Sequence, residues 1–148
     1  MSSVNKVRQI VYGITLVFIS LTGFGQMPIF KRYYIADIPG LGWLARFYVT
    51  HSMHYIFAAI LIAFCVYVVL DFVLSKKEVS GITASGVAKA AIILGLMVSG
   101  GLMVVWNLPG VYFSHTLIYV MNLSHLGLCM ALLMTSAYTL VRKKAWVK

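Results

Sequence analysis

Acidic side chains are almost missing: Asp37, Asp71 and Glu78 are the only three in 148 residues. Charged residues of both signs make up 10% of the chain, against about 25% in soluble domains. That excludes a large solvated domain. Cysteine is scarce too. Cys65 and Cys129 both fall in the middle of apolar runs with no CxxC spacing, which argues against iron–sulfur and zinc sites. They read as small apolar fillers. A cleavable leader is not in evidence, because MSSVNKVRQ runs directly into an apolar stretch without a small-residue cleavage site, and the first span is expected to be an anchor. No internal repeat and no low-complexity segment is visible.

What is present is apolar length. Hydrophobic residues make up 61% of the sequence, and they gather into runs long enough to cross a bilayer, which takes roughly 20 residues. The expected spans cover about 10–30, 47–74, 87–106 and 115–141. The expected fold is all-α: one integral membrane domain over 1–148, a four-transmembrane up-down helix bundle. A net charge of +9 raises the question of nucleic acid, but its distribution answers it. With four spans, Lys6, Arg8, Lys76, Lys77, Lys89, Arg142, Lys143, Lys144 and Lys148 fall on one side, and Lys31, Arg32 and Arg46 on the other. This is the positive-inside pattern. It places both termini in the cytoplasm and leaves nucleic acid out. The expected location is a bacterial or archaeal cytoplasmic (inner) membrane, multi-pass.

Between the spans the sequence is informative in places. LTGFGQMP puts Gly23 and Gly25 near the outer end of the first span, where they permit close approach of another helix or of a flat ligand, and Pro28 loosens the helix end. The outer loop KRYYIADIPGLGWLAR carries Tyr33, Tyr34 and Trp43, residues of the headgroup zone, and the turn signal Pro39-Gly40. Asp37 reads as a solvated loop carboxylate. Asp71, at the inner end of the second span, is expected to snorkel or to pair with Lys76. In the third span Gly95, Ser99, Gly100 and Gly101 form a smooth patch that suits either tight helix crossing or a bulky ligand; each glycine costs about 1 kcal/mol relative to alanine in a helix.

The histidines carry the functional signal. All four lie in two runs: His51 and His54 at the start of the second, His115 and His125 in the fourth. Titratable groups at membrane depth are costly and usually have a partner inside a bundle. Two imidazoles from different helices, small residues beside them, and outer cations such as Arg46, Lys31 and Arg32 for propionates are what a bis-histidine haem b requires. Alternatively the histidines are interfacial, or bonded to serines. Depth does not separate the possible pairs cleanly. At 1.5 Å per residue, His54 and His125 differ by about 7 Å measured from the inner ends of their helices, and His54 with His115 differs by a similar amount in the other sense. His125 is the deeper candidate and precedes Gly127, so His54 and His125 are the expected iron ligands. His51 and His115 are expected to contact a quinone carbonyl or a propionate. The inner half has no histidine, so one haem towards the outer face is expected.

Three stretches carry a resemblance to a known family. RQIVYGITLVFISLTGF, ARFYVTHSMHYIFAA and SHLGLCMALLMTSAYTL resemble the first, second and fourth spans of the bacterial respiratory cytochrome b family, the membrane haem b subunits of formate dehydrogenases and nickel–iron hydrogenases. The resemblance matches His54 and His125 to that family's outer-haem ligands. Tyr12 and Thr139 stand where its inner-haem histidines are expected, which implies a chain reduced to one haem. The function implied is an electron-transfer subunit, linking the quinone pool to a redox partner docked outside, with a bound quinone. The alternative is a non-redox membrane anchor or assembly subunit of a peripheral enzyme complex, docking through the basic tail RKKAWVK.

Overall fold

Four apolar runs become four helices. The computed structural model describes residues 3–27, 29, 34–74 and 82–144. Within them lie α1 (Ser3–Gly25), α2 (Phe47–Leu74), α3 (Ala84–Trp106) and α4 (His115–Val141). Each contains a stretch long and apolar enough to cross a membrane, which is the mark of a multi-pass membrane protein. Pro28, Lys31, Arg32, Tyr33, Lys76, Lys77 and Lys148 lie outside the described residues.

The chain divides into two compact units, residues 1–76 and 77–148, and each is a helical hairpin. In the first, α1 ends at Gly25, short of residue 30. Its last turn tightens through bonds from Gln26 N to Gly23 O and from Met27 N to Phe24 O, and the proline at position 28 disfavours helical backbone at Met27. Short 3₁₀ turns at Ile35–Asp37 and Gly42–Ala45 lead into α2. The second hairpin has a shorter connection, and Ser114 caps α4 by accepting from Leu117 N. Each connection contains a Pro-Gly turn. Leu41 N donates to Ile38 O at 3.0 Å and Val111 N to Leu108 O at 3.3 Å; Gly40 and Gly110 take φ of 88° and 82°. Only glycine adopts that geometry at this turn position without strain.

Packing inside the hairpins is as polar as it is apolar. Among the described residues, the buried hydrophobic ones are Leu44, Leu61, Ile93, Met121 and Leu132, and the buried polar ones are Thr15, Thr22, Thr50, Lys89, Ser99 and Thr139. Lipid tails are as apolar as leucine, so helices in a bilayer gain from small and hydroxylated residues at their contacts. The hydroxyls are satisfied locally: Thr22, Thr50, Ser99 and Thr139 each donate to a carbonyl three or four residues back on their own helix.

Asp71 has an ion partner on α1, and the Lys76 expected from the sequence lies outside the described residues. Its carboxylate takes Arg8 of α1 at 3.0 Å, and the same guanidinium nitrogen donates to Tyr67 at 2.7 Å. The cluster ties the start of α1 to the end of α2. At the far end of α4, Lys143 adopts φ 48° and two backbone bonds, Lys144 N to Thr139 O and Lys143 N to Leu140 O, close the helix in the reversed turn that usually ends on glycine.

Candidate functional site

Each hairpin holds one histidine of its second helix against a hydroxyl of its first. In the first hairpin Thr22 is fully buried, and its hydroxyl proton goes to Phe18 O at 2.7 Å. Its oxygen is therefore available to accept, and His54 Nδ1 lies 3.3 Å away. The same Nδ1 is 3.0 Å from Ile19 O. A carbonyl can only accept, so the His54 proton sits on Nδ1 and the lone pair on Nε2.

The second hairpin repeats the arrangement. Ser99 is buried and donates to Gly95 O at 2.8 Å. His125 Nδ1 lies 2.8 Å from the same serine oxygen and donates to it by the same logic, which again places the lone pair on Nε2. A glycine adjoins the hydroxyl residue in both cases. A Cβ built on Gly23 would meet His54 Cε1 at 3.1 Å, and one on Gly100 would meet His125 Cε1 at 3.4 Å. No side chain other than hydrogen gives the His54 ring that much room without displacing it. Gly101 and Gly127, by contrast, face open space, and Gly25 packs on Thr50 and Leu44.

The remaining candidates separate. His51 lies one turn before His54 and belongs to its cluster: Nδ1 is 3.2 Å from Gln26 Oε1, while Gln26 Nε2 donates to Thr22 O. The His51 ring stacks on Phe47 at 5.1 Å and tilts against Tyr55 at 4.4 Å. Thr22 thus touches His54 through its side chain and reaches His51 through Gln26. His115 is the exposed first residue of α4; ten residues of helix, about 15 Å, separate it from His125. Arg46 is exposed at the start of α2, where its carbonyl accepts from Thr50 N. Tyr12 lies against Phe64, ring centroids 6.1 Å apart, and Thr139 accepts a hydrogen bond from the buried Lys89 ammonium.

Chemically, the two rings share one arrangement: Nδ1 lies within hydrogen-bond reach of a buried hydroxyl on the other helix of the same hairpin. Among the described residues, no three of histidine, cysteine, aspartate or glutamate gather to hold a metal ion; the donor set is one of single imidazoles with hydroxyl supports. Sequence reading singled out both histidines and both glycines but passed over Thr22 and Gln26 and named Ser99 only as part of a smooth patch. The signal for Thr22 and Ser99 was a hydroxyl residue immediately before a glycine in an otherwise apolar helix. In comparisons with known proteins, no family model, no curated protein and no solved structure matched the chain.

Proposed function

We propose that the chain is a membrane haem b subunit that passes electrons between the quinone pool and a partner redox subunit of a respiratory complex, reduced relative to the two-haem cytochromes b it resembles. The four helices would form an up-down bundle with both termini in the cytoplasm, which the distribution of lysine and arginine supports. The observation that carries the reading is the twofold occurrence of one arrangement: an intramembrane histidine whose Nδ1 proton is fixed by a hydroxyl beside a glycine.

Haem held there supplies one-electron chemistry. His54 and His125 are the residues that would hold it. Arg46, at the outer end of α2 in this topology, supplies positive charge for a propionate. His51, bonded to Gln26 and edged by Phe47 and Tyr55, is the group placed to exchange a proton with a quinone carbonyl near the outer face. The partner subunit would dock on that face.

The test is an absorption spectrum of the purified protein, dithionite-reduced minus oxidised. A sharp low-spin haem b band is expected in wild type, in His51→Ala and in His115→Ala, and its loss in His54→Ala and His125→Ala. Purified wild-type protein without haem would refute the reading and leave a non-redox anchor subunit in its place.

A further inference from the structure

The two hairpins match at several positions beyond their histidines. Thr22-Gly23 answers to Ser99-Gly100, and the turn Ile38-Pro39-Gly40 answers to Leu108-Pro109-Gly110. In the second helix of each, Tyr48-Val49 answers to Tyr119-Val120, His54 to His125, Leu61 to Leu132 and Tyr67 to Tyr138, all 71 positions on (54 to 125). The structure respects this register. Thr50 and Met121 are both buried, as are Leu61 and Leu132. Phe57 stacks on Phe18 at 4.8 Å, while its counterpart Leu128 lies against Gly95, the counterpart of Phe18. His51 answers to Asn122, and His115 answers to Leu44, so His54 and His125 are the one pair of histidines the register makes equivalent.

From this correspondence we infer that Thr22 and Ser99 are paired positioning residues for the haem ligands, each setting the electron donation of the imidazole it holds. The inference rests on the haem reading given above. Each hydroxyl has its own proton committed to a backbone carbonyl, Phe18 O for Thr22 and Gly95 O for Ser99, so it meets the ring only as an acceptor. An acceptor on Nδ1–H draws the proton away, lends the ring imidazolate character and makes Nε2 a stronger donor, which favours ferric over ferrous iron. A hydroxyl serving only to pack two helices would not affect that balance.

Redox titration of the haem α-band tests this in the purified full-length protein. Ser99→Ala removes the acceptor and is expected to raise the midpoint potential, with a shift in the oxidised-to-reduced ratio of up to about tenfold, 59 mV for one electron. Thr22→Val is expected to raise it in part, because Ile19 O still accepts from His54 Nδ1. The exchanges Thr22→Ser and Ser99→Thr, which give each hairpin the other's hydroxyl, are expected to keep the wild-type potential. All four should retain the low-spin band. Wild-type protein without haem would overturn both this inference and the function it rests on. Haem present with potentials unmoved by Ser99→Ala and Thr22→Val, or moved equally by the exchanges, would overturn this inference alone.

Discussion

Gly23 and Gly100 hold equivalent places, yet alanine at each has a different expected outcome. A Cβ at Gly23 would stand 3.1 Å from His54 Cε1 and 3.5 Å from Nδ1. Relaxed carbon contacts begin near 3.5 Å, so the ring must retreat by about 0.4 Å. The Thr22 contact to Nδ1 is already 3.3 Å, and that retreat carries it past the range in which a hydrogen bond has force. The loss is about 1 kcal/mol, offset by a gain of about 1 kcal/mol from replacing glycine in a helix. Gly23→Ala should therefore leave stability nearly unchanged while displacing the His54 ring. At Gly100 the clearance is 3.4 Å; the ring barely moves, and alanine's helix preference gives a net gain of up to about 1 kcal/mol. Unfolding in detergent by added dodecyl sulfate, followed by circular dichroism, reads the stabilities, and, on the haem function proposed above, haem per protein reads the placement of the ring. The expected pattern is a near-wild-type midpoint with reduced haem for Gly23→Ala, and a raised midpoint with full haem for Gly100→Ala. Full haem in Gly23→Ala, or equal haem loss in both, would refute the reasoning.

Two further expectations concern polar pairs. Arg8 bonds both Asp71 and Tyr67 at the part-exposed end of the first hairpin, so Asp71→Asn should lower the unfolding midpoint slightly and Tyr67→Phe by less; the same unfolding assay, repeated in high salt, should shrink the Asp71 effect. In the second hairpin Thr139→Val removes an acceptor from the buried Lys89 ammonium and should cost about 1.5–3 kcal/mol, whereas Lys89→Met, which removes the charge itself, should cost much less or stabilise. Equal losses in those two variants would show that the ammonium is not held by that hydroxyl.

Apolar length made the helices legible, because no other structure satisfies a backbone through 20 or more residues of hydrocarbon. The histidines were legible for a related reason: intramembrane imidazoles are few and expensive. Their supports were less so. Thr22 and Ser99 look like ordinary small residues of a helix interface, and only the contacts show that each holds a ring. The correspondence of the hairpins was hidden because their connections differ in length: 32 residues separate Thr22 from His54 but 26 separate Ser99 from His125, so no single period runs through the chain. The Arg8 partner of Asp71 was hidden by distance along the chain. Arg8 is 63 positions away, yet α1 and α2 run antiparallel and bring it to the carboxylate.

Thr22 and Thr50 in the first hairpin, and Ser99 and Thr139 in the second, find acceptors within their own hairpin, and so does one histidine of each; this bears on how the protein is made. The ribosome releases the first two helices well before the last two exist. Thr22, Thr50 and His54 already have their acceptors when α2 leaves the exit channel, so the first hairpin can enter lipid with those groups satisfied while α4 is still untranslated. Insertion two helices at a time is thus chemically permitted here, where a chain whose early polar groups found partners only in its last segment would have to wait.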